Sequence, residues 1–336
     1  MNVYVCVTLY HVYITLLFVF LSGNNKENNI IFLNANNEIV YKQYLYIAQQ
    51  LKMRGYICDV RLKSFKDEIF GREIQKNKKQ LKIVESCMKV IEEKDFTLIN
   101  FAWNNSYVYP AAGLLYKKAK EAIFVEESTL IAMLKQEKKW KKVLHRILGD
   151  CVDFYKDSKI REIMVQKPET FPEEWQNKLS ILDVARLSKK LNKNDAYEII
   201  EIMSQEGVNL FDILQETNIG IVYTCPFSEQ NIISEEEKIK QILLICNHYK
   251  KYGKCILKLH PRDTSVYPVD DDIIILSPSF PSELLGLTGY KFKYAVSVCS
   301  SAVNTTFAEN KINMNENFYN SPEFVLLDID GNNIEL

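Results

Sequence analysis

The stretch Lys258-Leu259-His260-Pro261-Arg262-Asp263 decides how this chain is interpreted. An apolar run, residues 255–259, ends abruptly there in a histidine, a proline and an arginine. Such an ending is typical of a β-strand that delivers polar groups to the rim of a parallel sheet. In open α/β sheets, ligands bind beyond the carboxyl ends of the strands. The stretch therefore predicts an α/β fold with a ligand site around His260.

A second apolar run, residues 294–298, is followed by Cys299-Ser300-Ser301 and a predicted helix at 302–307. Hydroxyl groups and free backbone amides at the start of a helix can bind an anion. We therefore predict that Ser300 and Ser301 join His260 in a site for a phosphate-bearing donor. The alternative is that the two serines only cap their helix.

Length and composition narrow the class of protein. The chain has 336 residues, enough for two ordinary domains or one large one. Its formal net charge of −1 gives no sign of nucleic acid as a partner. The eight cysteines show no CxxC motif and no paired spacing, and several lie in apolar runs. They indicate reduced thiols in a cytoplasmic protein and argue against a zinc site.

Residues 3–23 contain no charged side chain, which leaves two interpretations open. A helix that spans a membrane needs about 20 predominantly apolar residues. Polar residues interrupt this stretch, among them Thr8, His11, Thr15 and Ser22. We favour a buried strand at 3–7 and a buried helix at 10–21 over a membrane anchor.

Strand-like runs alternate with helical patterns in both halves of the chain, which predicts βαβ units with parallel sheets. In the first half, strands are expected at 29–33, 57–62, 96–101 and 122–125, and helices at 38–53, 74–93 and 109–119. In the second half, strands are expected at 219–223, 255–259, 273–276 and 294–298, and helices at 234–252 and 282–287. We predict two Rossmann-like domains, 1–150 and 218–336, whose parallel sheets face a central cleft. A helical connection without clear strands is expected at 151–217.

Three residues around the His-Pro pair could carry chemistry on the donor side. An imidazole beside a phosphate can donate a hydrogen bond or a proton to the leaving oxygen, unless His260 merely caps its strand. Pro261 fixes the backbone next to it, and Arg262 adds positive charge. Glu283 follows Pro281 in the first turn of its helix, where it could bind a ribose or only complement the helix dipole.

Candidates for the acceptor side lie in the first half of the chain. Glu126 and Glu127 end the predicted strand 122–125 and could supply a general base, or could be solvated loop residues. Thr8, Tyr10 and His11 follow the first strand and would face the same cleft, unless His11 belongs to the core. The basic run 135–146, which carries Trp140, could contact the inner face of a cell membrane or an anionic acceptor, or be a solvated helix face.

The order of these pieces resembles that of the bacterial sialyltransferases of glycosyltransferase family 52. The resemblance begins with residues 5–12 (VCVTLYHV) and Glu126-Glu127. It continues through 223–226, the helix with Lys238, and 258–263, and it ends with 281–285 (PSELL) and 300–302. It spans most of the chain and is dense from 223 to 307.

The resemblance implies the GT-B fold, CMP-activated sialic acid as the donor, and inversion at the anomeric carbon without a metal or another cofactor. It implies that His260 contacts the CMP phosphate, with Pro261 and Arg262 in the same site. Ser300 and Ser301 would bind that phosphate, and Glu283 would contact the nucleoside. Glu127 would take the proton of the acceptor hydroxyl, and Ser128 replaces the glycine that usually follows the acidic pair.

The expected acceptor is a terminal galactose of a bacterial surface glycan, either capsule polysaccharide or lipooligosaccharide. Two other functions stay open. One is a related transferase that uses another nucleotide sugar, such as UDP-glucose, and the other is a non-catalytic protein that binds a glycan or a partner. The long segment between the halves is also compatible with a homodimer formed by domain exchange.

Overall fold

The computed structural model of the protein describes residues 1–23, 26–35, 38–62, 95–101, 115–126, 156–204, 210, 213–215, 218–298, 302–314, 326–327 and 333–334. The chain divides into two units, Met1–Leu191 and Asn192–Leu336. Several predictions fall outside the described residues, namely those for Glu127, Ser300, Ser301, the helix at 74–93 and the basic run at 135–146.

The first unit is built on a sheet of seven parallel strands in the order β3-β2-β1-β4-β5-β6-β7. The strands are β1 (Asn2–Cys6), β2 (Asn29–Ala35), β3 (Ile57–Leu62), β4 (Thr97–Asn100), β5 (Glu121–Val125), β6 (Ile160–Val165) and β7 (Leu179–Ile181). Val3 of β1 lies opposite both Ile30 and Leu98, and all three are fully buried. Burial on both faces explains why these strands are continuous apolar runs.

The α-helices of the first unit within the described residues include α1 (Leu9–Leu21), α2 (Glu38–Met53) and α3 (Val184–Lys189). Most side chains of α1 are buried, which explains its lack of charge. The prediction of a strand and a helix within residues 3–23 is therefore confirmed. Among the described residues, no helix combines the length and the apolar character needed to cross a bilayer.

The second unit carries a sheet of five parallel strands in the order β10-β9-β8-β11-β12. Its elements are α4 (Lys193–Met203), β8 (Gly220–Tyr223), α5 (Glu235–Tyr249), β9 (Cys255–Lys258), β10 (Ile273–Leu276), β11 (Phe292–Val298), α6 (Ala302–Thr305) and β12 (Ala308–Met314). A 3-10 helix, Ser282–Thr288, connects β10 to β11. Two short strands, β13 (Leu326–Leu327) and β14 (Asn333–Ile334), pair with each other.

Gly220 allows the middle of this second sheet to pack closely. A Cβ atom at this position would lie 1.8 Å from Cζ of Tyr294 on the neighbouring strand β11. The Tyr294 ring is fully buried and occupies the space of a side chain at position 220, which glycine leaves open. Its ring packs near that of Tyr249 on α5, with the two centroids 5.3 Å apart, and so links the helix to the sheet.

Both sheets reverse their strand order beside their first strand. The reversal lies between β1 and β4 in the first unit and between β8 and β11 in the second. In sheets of this type the crevice for a ligand opens beyond the carboxyl ends of the strands at such a point. His260 follows β9, which pairs with β8, so it lies at this edge of its sheet.

The structure corrects two expectations about strands. The connection predicted as helical at 151–217 contains β6 and β7, which extend the first sheet. Arg161, which is exposed, and Glu162, which is half-buried, interrupt the apolar run of β6 in sequence and so hid the strand. The helix expected at 302–307 ends at Thr305, and an unpredicted edge strand, β12, begins at Ala308.

Candidate active site

A tight turn presents His260 at the carboxyl end of β9. The backbone N–H of Asp263 donates to the carbonyl oxygen of His260 at 2.8 Å, with Pro261 at the second position of the turn. Proline favours this position because its ring sets the required φ angle. The backbone N–H of His260 donates to Oγ1 of Thr224, which follows β8, at 2.8 Å. The histidine is thus held from two sides by its main chain.

The His260 ring has a defined proton position. Its Nδ1 atom accepts a hydrogen bond from the backbone N–H of Arg262 at 3.1 Å, so the neutral ring carries its proton on Nε2. Burial lowers the pKa of His260 to about 4, helped by the positive charges of Arg262 and Lys258. At neutral pH the half-buried ring is therefore an uncharged hydrogen-bond donor rather than a cation.

Lys258 is the last residue of β9 and precedes this turn, and only 3% of its surface is exposed. Its Nζ atom donates to the carbonyl oxygens of Leu259 and of Ser277, the latter at 3.0 Å. The lysine therefore ties the end of β9 to the end of β10. It places a buried positive charge two residues before His260, at the carboxyl end of β9.

Glu283 lies in the 3-10 helix after β10 and is half-buried. Burial raises the pKa of its carboxyl group, and the positive charge of Lys258 partly offsets this rise. The charge of Glu283 also adds to the effect of burial in raising the pKa of Tyr223 at the end of β8. Glu283 is thus close enough to interact with the ends of both β8 and β9.

Three consecutive residues at the end of β8 connect the neighbouring elements. The Tyr223 hydroxyl bonds with Oγ1 of Thr306 at 2.6 Å, next to α6. Thr224 accepts from His260, as described above. Cys225 donates from Sγ to the carbonyl oxygen of Val298, the last residue of β11, at 2.8 Å. Sequence reasoning included residues 223–226 but assigned none of them this role.

In the first unit, Glu126 occupies the carboxyl end of β5 and is 8% exposed. Its Oε2 atom accepts a hydrogen bond from the backbone N–H of Gln166, at the end of β6. The side-chain amide of Gln166 donates in turn to the Tyr10 hydroxyl at 3.3 Å. Glu126 is therefore an anchored carboxylate rather than a solvated loop residue. The structure brings Glu126 and Tyr10 to one sheet edge, and Gln166 was not foreseen.

Thr8 and His11 form the N-terminal cap of α1. Oγ1 of Thr8 accepts from the backbone N–H of His11, and Nδ1 of His11 accepts from the backbone N–H groups of Val7 and Thr8, at 3.2 Å each. The His11 ring stacks on Phe101 with the centroids 4.7 Å apart. Burial lowers the pKa of His11 to about 3. These contacts agree with the alternative of a core histidine.

Within the described residues, neither of the two sheet edges offers a recognisable metal site. In the described ranges, no group of three or more histidine, cysteine, aspartate or glutamate side chains is arranged to hold a metal ion. The titratable groups that the structure brings together at the second sheet edge are His260, Arg262, Lys258 and Glu283.

Two Rossmann-like units, each with a parallel sheet whose strand order reverses beside its first strand, are the architecture of the GT-B fold class. A family model of glycosyltransferase family 52 matches residues 111–315, more than half of the chain. The chain therefore belongs to glycosyltransferase family 52 and is a glycosyltransferase.

The GT-B domain of a sialyltransferase from Photobacterium damselae has a similar fold, with a TM-score of 0.55, at 11% identity over 93% of this chain and 90% of that one. An α/β-galactoside α-2,3-sialyltransferase from Photobacterium phosphoreum gives a TM-score of 0.55 at 12% identity, over 93% and 89% of the two chains. An uncharacterized protein of Haemophilus influenzae is 27% identical over 194 residues, which are 56% of this chain and 60% of that protein. The prediction of an α/β GT-B fold is confirmed.

Proposed function

We propose that this glycosyltransferase moves sialic acid from CMP-sialic acid to a terminal sugar, galactose, of a bacterial surface glycan. The proposed reaction inverts the anomeric carbon and uses neither a metal ion nor another cofactor. One observation carries the proposal: His260 is fixed at the carboxyl edge of its sheet with its Nε2 proton available to a ligand. The sialyltransferases with a similar fold support the choice of donor.

The proposed step breaks the bond between the anomeric carbon and the CMP phosphate oxygen. The acceptor oxygen attacks that carbon, and the electron pair of the broken bond stays on the phosphate. Negative charge grows on the phosphate in the transition state, where a fixed donor stabilises it most. His260 donates its Nε2 proton to this oxygen as a hydrogen bond. The neutral ring keeps this proton, because its Nδ1 already accepts the Arg262 N–H and holds no second proton that could replace it.

Other residues hold the two substrates in the proposed complex. Glu283 accepts hydrogen bonds from the nucleoside, and Ser300 and Ser301, outside the described residues, bind the phosphate with His260. On the acceptor side, a carboxylate takes the proton that the acceptor hydroxyl loses. Glu127 is the proposed base, and the adjacent Glu126, anchored by Gln166, is the second candidate for this role.

The test is a transfer assay with purified protein and three donors: CMP-sialic acid, UDP-glucose and UDP-galactose. Lactose serves as a simple galactose-terminated acceptor, and hydrolysis of each donor is followed without acceptor. We expect release of CMP from CMP-sialic acid and none of UDP from the other two donors. Use of a UDP-sugar instead would replace the proposed donor. No hydrolysis of any donor would favour a non-catalytic binding protein.

A further inference from the structure

A buried group of three charged side chains lies beside the His260 turn, and no step of the proposed reaction uses it. The group, here called the Lys238 cluster, consists of Lys238, Glu229 and Asp263. Nζ of Lys238 contacts Oε1 and Oε2 of Glu229 at 2.8 and 3.0 Å and Oδ1 of Asp263 at 3.0 Å. Lys238 is 1% exposed. Burying such an ion pair is costly and often adds no net stability, so its presence requires another explanation.

The Lys238 cluster joins three separate segments of the second unit. Glu229 belongs to the loop after β8, Lys238 to the first turn of α5, and Asp263 to the turn after β9. Lys238 therefore connects the loops that follow two adjacent strands. These are the same two strands whose ends supply Thr224 and His260.

The carboxylates of the cluster also hold the segment that follows His260. The backbone N–H of Thr264 donates to Glu229 at 3.1 Å, and that of Ser265 donates to Asp263 at 3.1 Å. The Tyr267 hydroxyl donates to the other oxygen of Asp263 at 2.9 Å. Desolvation would raise the pKa of Glu229, but the hydrogen bonds from Lys238 and Thr264 bring it down to about 2. Glu229 thus stays ionised at neutral pH.

Asp263 connects the cluster directly to His260. Its side chain is bound to Lys238, and its backbone N–H closes the turn on the His260 carbonyl at 2.8 Å. The same turn brings the backbone N–H of Arg262 to Nδ1 of His260. If Asp263 moves, this turn opens and the contact at Nδ1 is lost. The ring is then free to rotate and to place its proton on either nitrogen.

We infer that the Lys238 cluster positions His260 by holding the Pro261-Arg262 turn closed, so that the ring keeps one orientation and one proton position. Lys238, Glu229 and Asp263 are therefore positioning residues, which act on the reaction only through His260. The catalytic consequence rests on the proposed function of His260. The structural consequence, a single tautomer of the His260 ring, does not rest on it.

Three variants test the inference. Lys238→Met keeps the length of the side chain and removes its charge, and Asp263→Asn is the milder change in case the first variant folds poorly. Lys250→Met is the matched control, because Lys250, just after the carboxyl end of α5, forms a partly exposed ion pair with Asp270 in the loop that also carries Asp263. We expect both cluster variants to lower kcat with CMP-sialic acid about 10- to 100-fold, since small misplacements of a reacting group have effects of this size. The control should stay within about twofold of the unchanged protein.

A spectroscopic readout separates positioning from a purely structural role. The chain has four histidines, so ¹⁵N labelling of histidine gives a spectrum that His260→Ala can assign. We expect ring nitrogen shifts of a single Nε2–H tautomer in the unchanged protein and in Lys250→Met. Averaged shifts of two tautomers are expected in Lys238→Met and Asp263→Asn, measured well below their unfolding temperatures.

Two outcomes are decisive, and they concern different claims. If folded Lys238→Met and Asp263→Asn keep the single-tautomer spectrum, the positioning role is wrong. If the unchanged protein shows that spectrum but does not transfer or hydrolyse CMP-sialic acid, the proposed function fails and the spectra still decide the role of the cluster.

Discussion

His260 and His11 both have a low pKa, but their ring contacts give them different roles. Nδ1 of His11 accepts hydrogen bonds from two backbone N–H groups. Its ring is stacked in the core, and only 1% of the residue's surface is exposed. Nδ1 of His260 accepts a hydrogen bond from one backbone N–H group, and its ring is only half-buried at the end of a strand. The first histidine is thus a capping residue of α1, and the second can reach a ligand.

Replacement of His260 by alanine should lower kcat for transfer about 10²–10³-fold, the usual effect of losing one fixed hydrogen-bond donor to a developing charge. The fold should persist, because the main-chain contacts to Thr224 and Asp263 do not need the ring. The matched control is His248→Ala, in the last turn of α5, which leads into the amino end of β9. Turnover is measured at saturating donor. Unchanged kcat in His260→Ala would remove the histidine from the mechanism.

His11 should make the protein less stable in mild acid. The pKa of His11 falls from 6.5 to about 3 on folding, so the unfolded chain binds a proton below pH 6.5 that the folded chain does not. Stability is therefore complete above about pH 6.5 and declines as the pH falls, by about 2 kcal/mol at pH 5 from this group. Urea unfolding at pH 7 and pH 5 measures the decline.

The variant His11→Gln isolates this contribution. Glutamine can accept the same backbone hydrogen bonds at this position of a helix cap but does not titrate. The variant should lose less stability between pH 7 and pH 5 than the unchanged protein, whatever its stability at pH 7. An equal loss of stability between pH 7 and pH 5 in both proteins would show that His11 is not the group responsible.

At the level of secondary-structure elements, β8 depends on one residue for its contact with β11. Gly220→Ala should destabilise the protein by about 1–3 kcal/mol, because its Cβ would lie 1.8 Å from the buried Tyr294 ring. Urea unfolding at neutral pH measures the change. Gly286→Ala is the control, since a Cβ there meets no atom within 4 Å. Equal stability of both variants would mean that the ring can move aside.

Elements marked by an apolar pattern were predictable from the sequence, including the edge strands β3 and β10, whereas a polar edge strand was not. The bounds of α2, β3 and β10 agree with the predictions, because apolar patterns end at turn residues there. Strand β12 lies at the edge of its sheet, and its residues Glu309, Asn310 and Lys311 look like a loop in sequence. Such a strand is recognised only once its partner, β11, is known.

At the level of the whole molecule, a bound donor nucleotide should stabilise the protein by mass action. CMP at 100 times its Kd adds about 2.7 kcal/mol to the free energy of unfolding, provided that it binds only the folded state. Thermal unfolding with CMP, CDP and UDP measures the effect. We expect the largest rise in Tm with CMP. A larger rise with UDP would point to a uridine-linked donor.

The sequence predicted those residues of the candidate site that directly follow an apolar strand, but not the residues that support them. His260, Pro261 and Arg262 stand out because an apolar run ends in them. Lys238 and Glu229 carry no such signal, since Lys238 reaches Asp263 only through the tertiary fold, across 25 positions of the chain. In sequence, Lys238 is one charge among several on an ordinary amphipathic helix. The residues that support a site therefore needed the structure.

The all-parallel sheets also determine how this chain can fold during synthesis. Strand β1 is synthesised before both strands that flank it, and the later of these, β4, begins only at Thr97. Strand β8 is likewise synthesised well before one of its two neighbours, β11. Each central strand is therefore left with one side unpaired until a long crossover has been synthesised. Folding that depends on such distant contacts is slow and leaves apolar edges exposed to other chains. High-yield production should therefore benefit from slow translation at low temperature, which gives each crossover time to close.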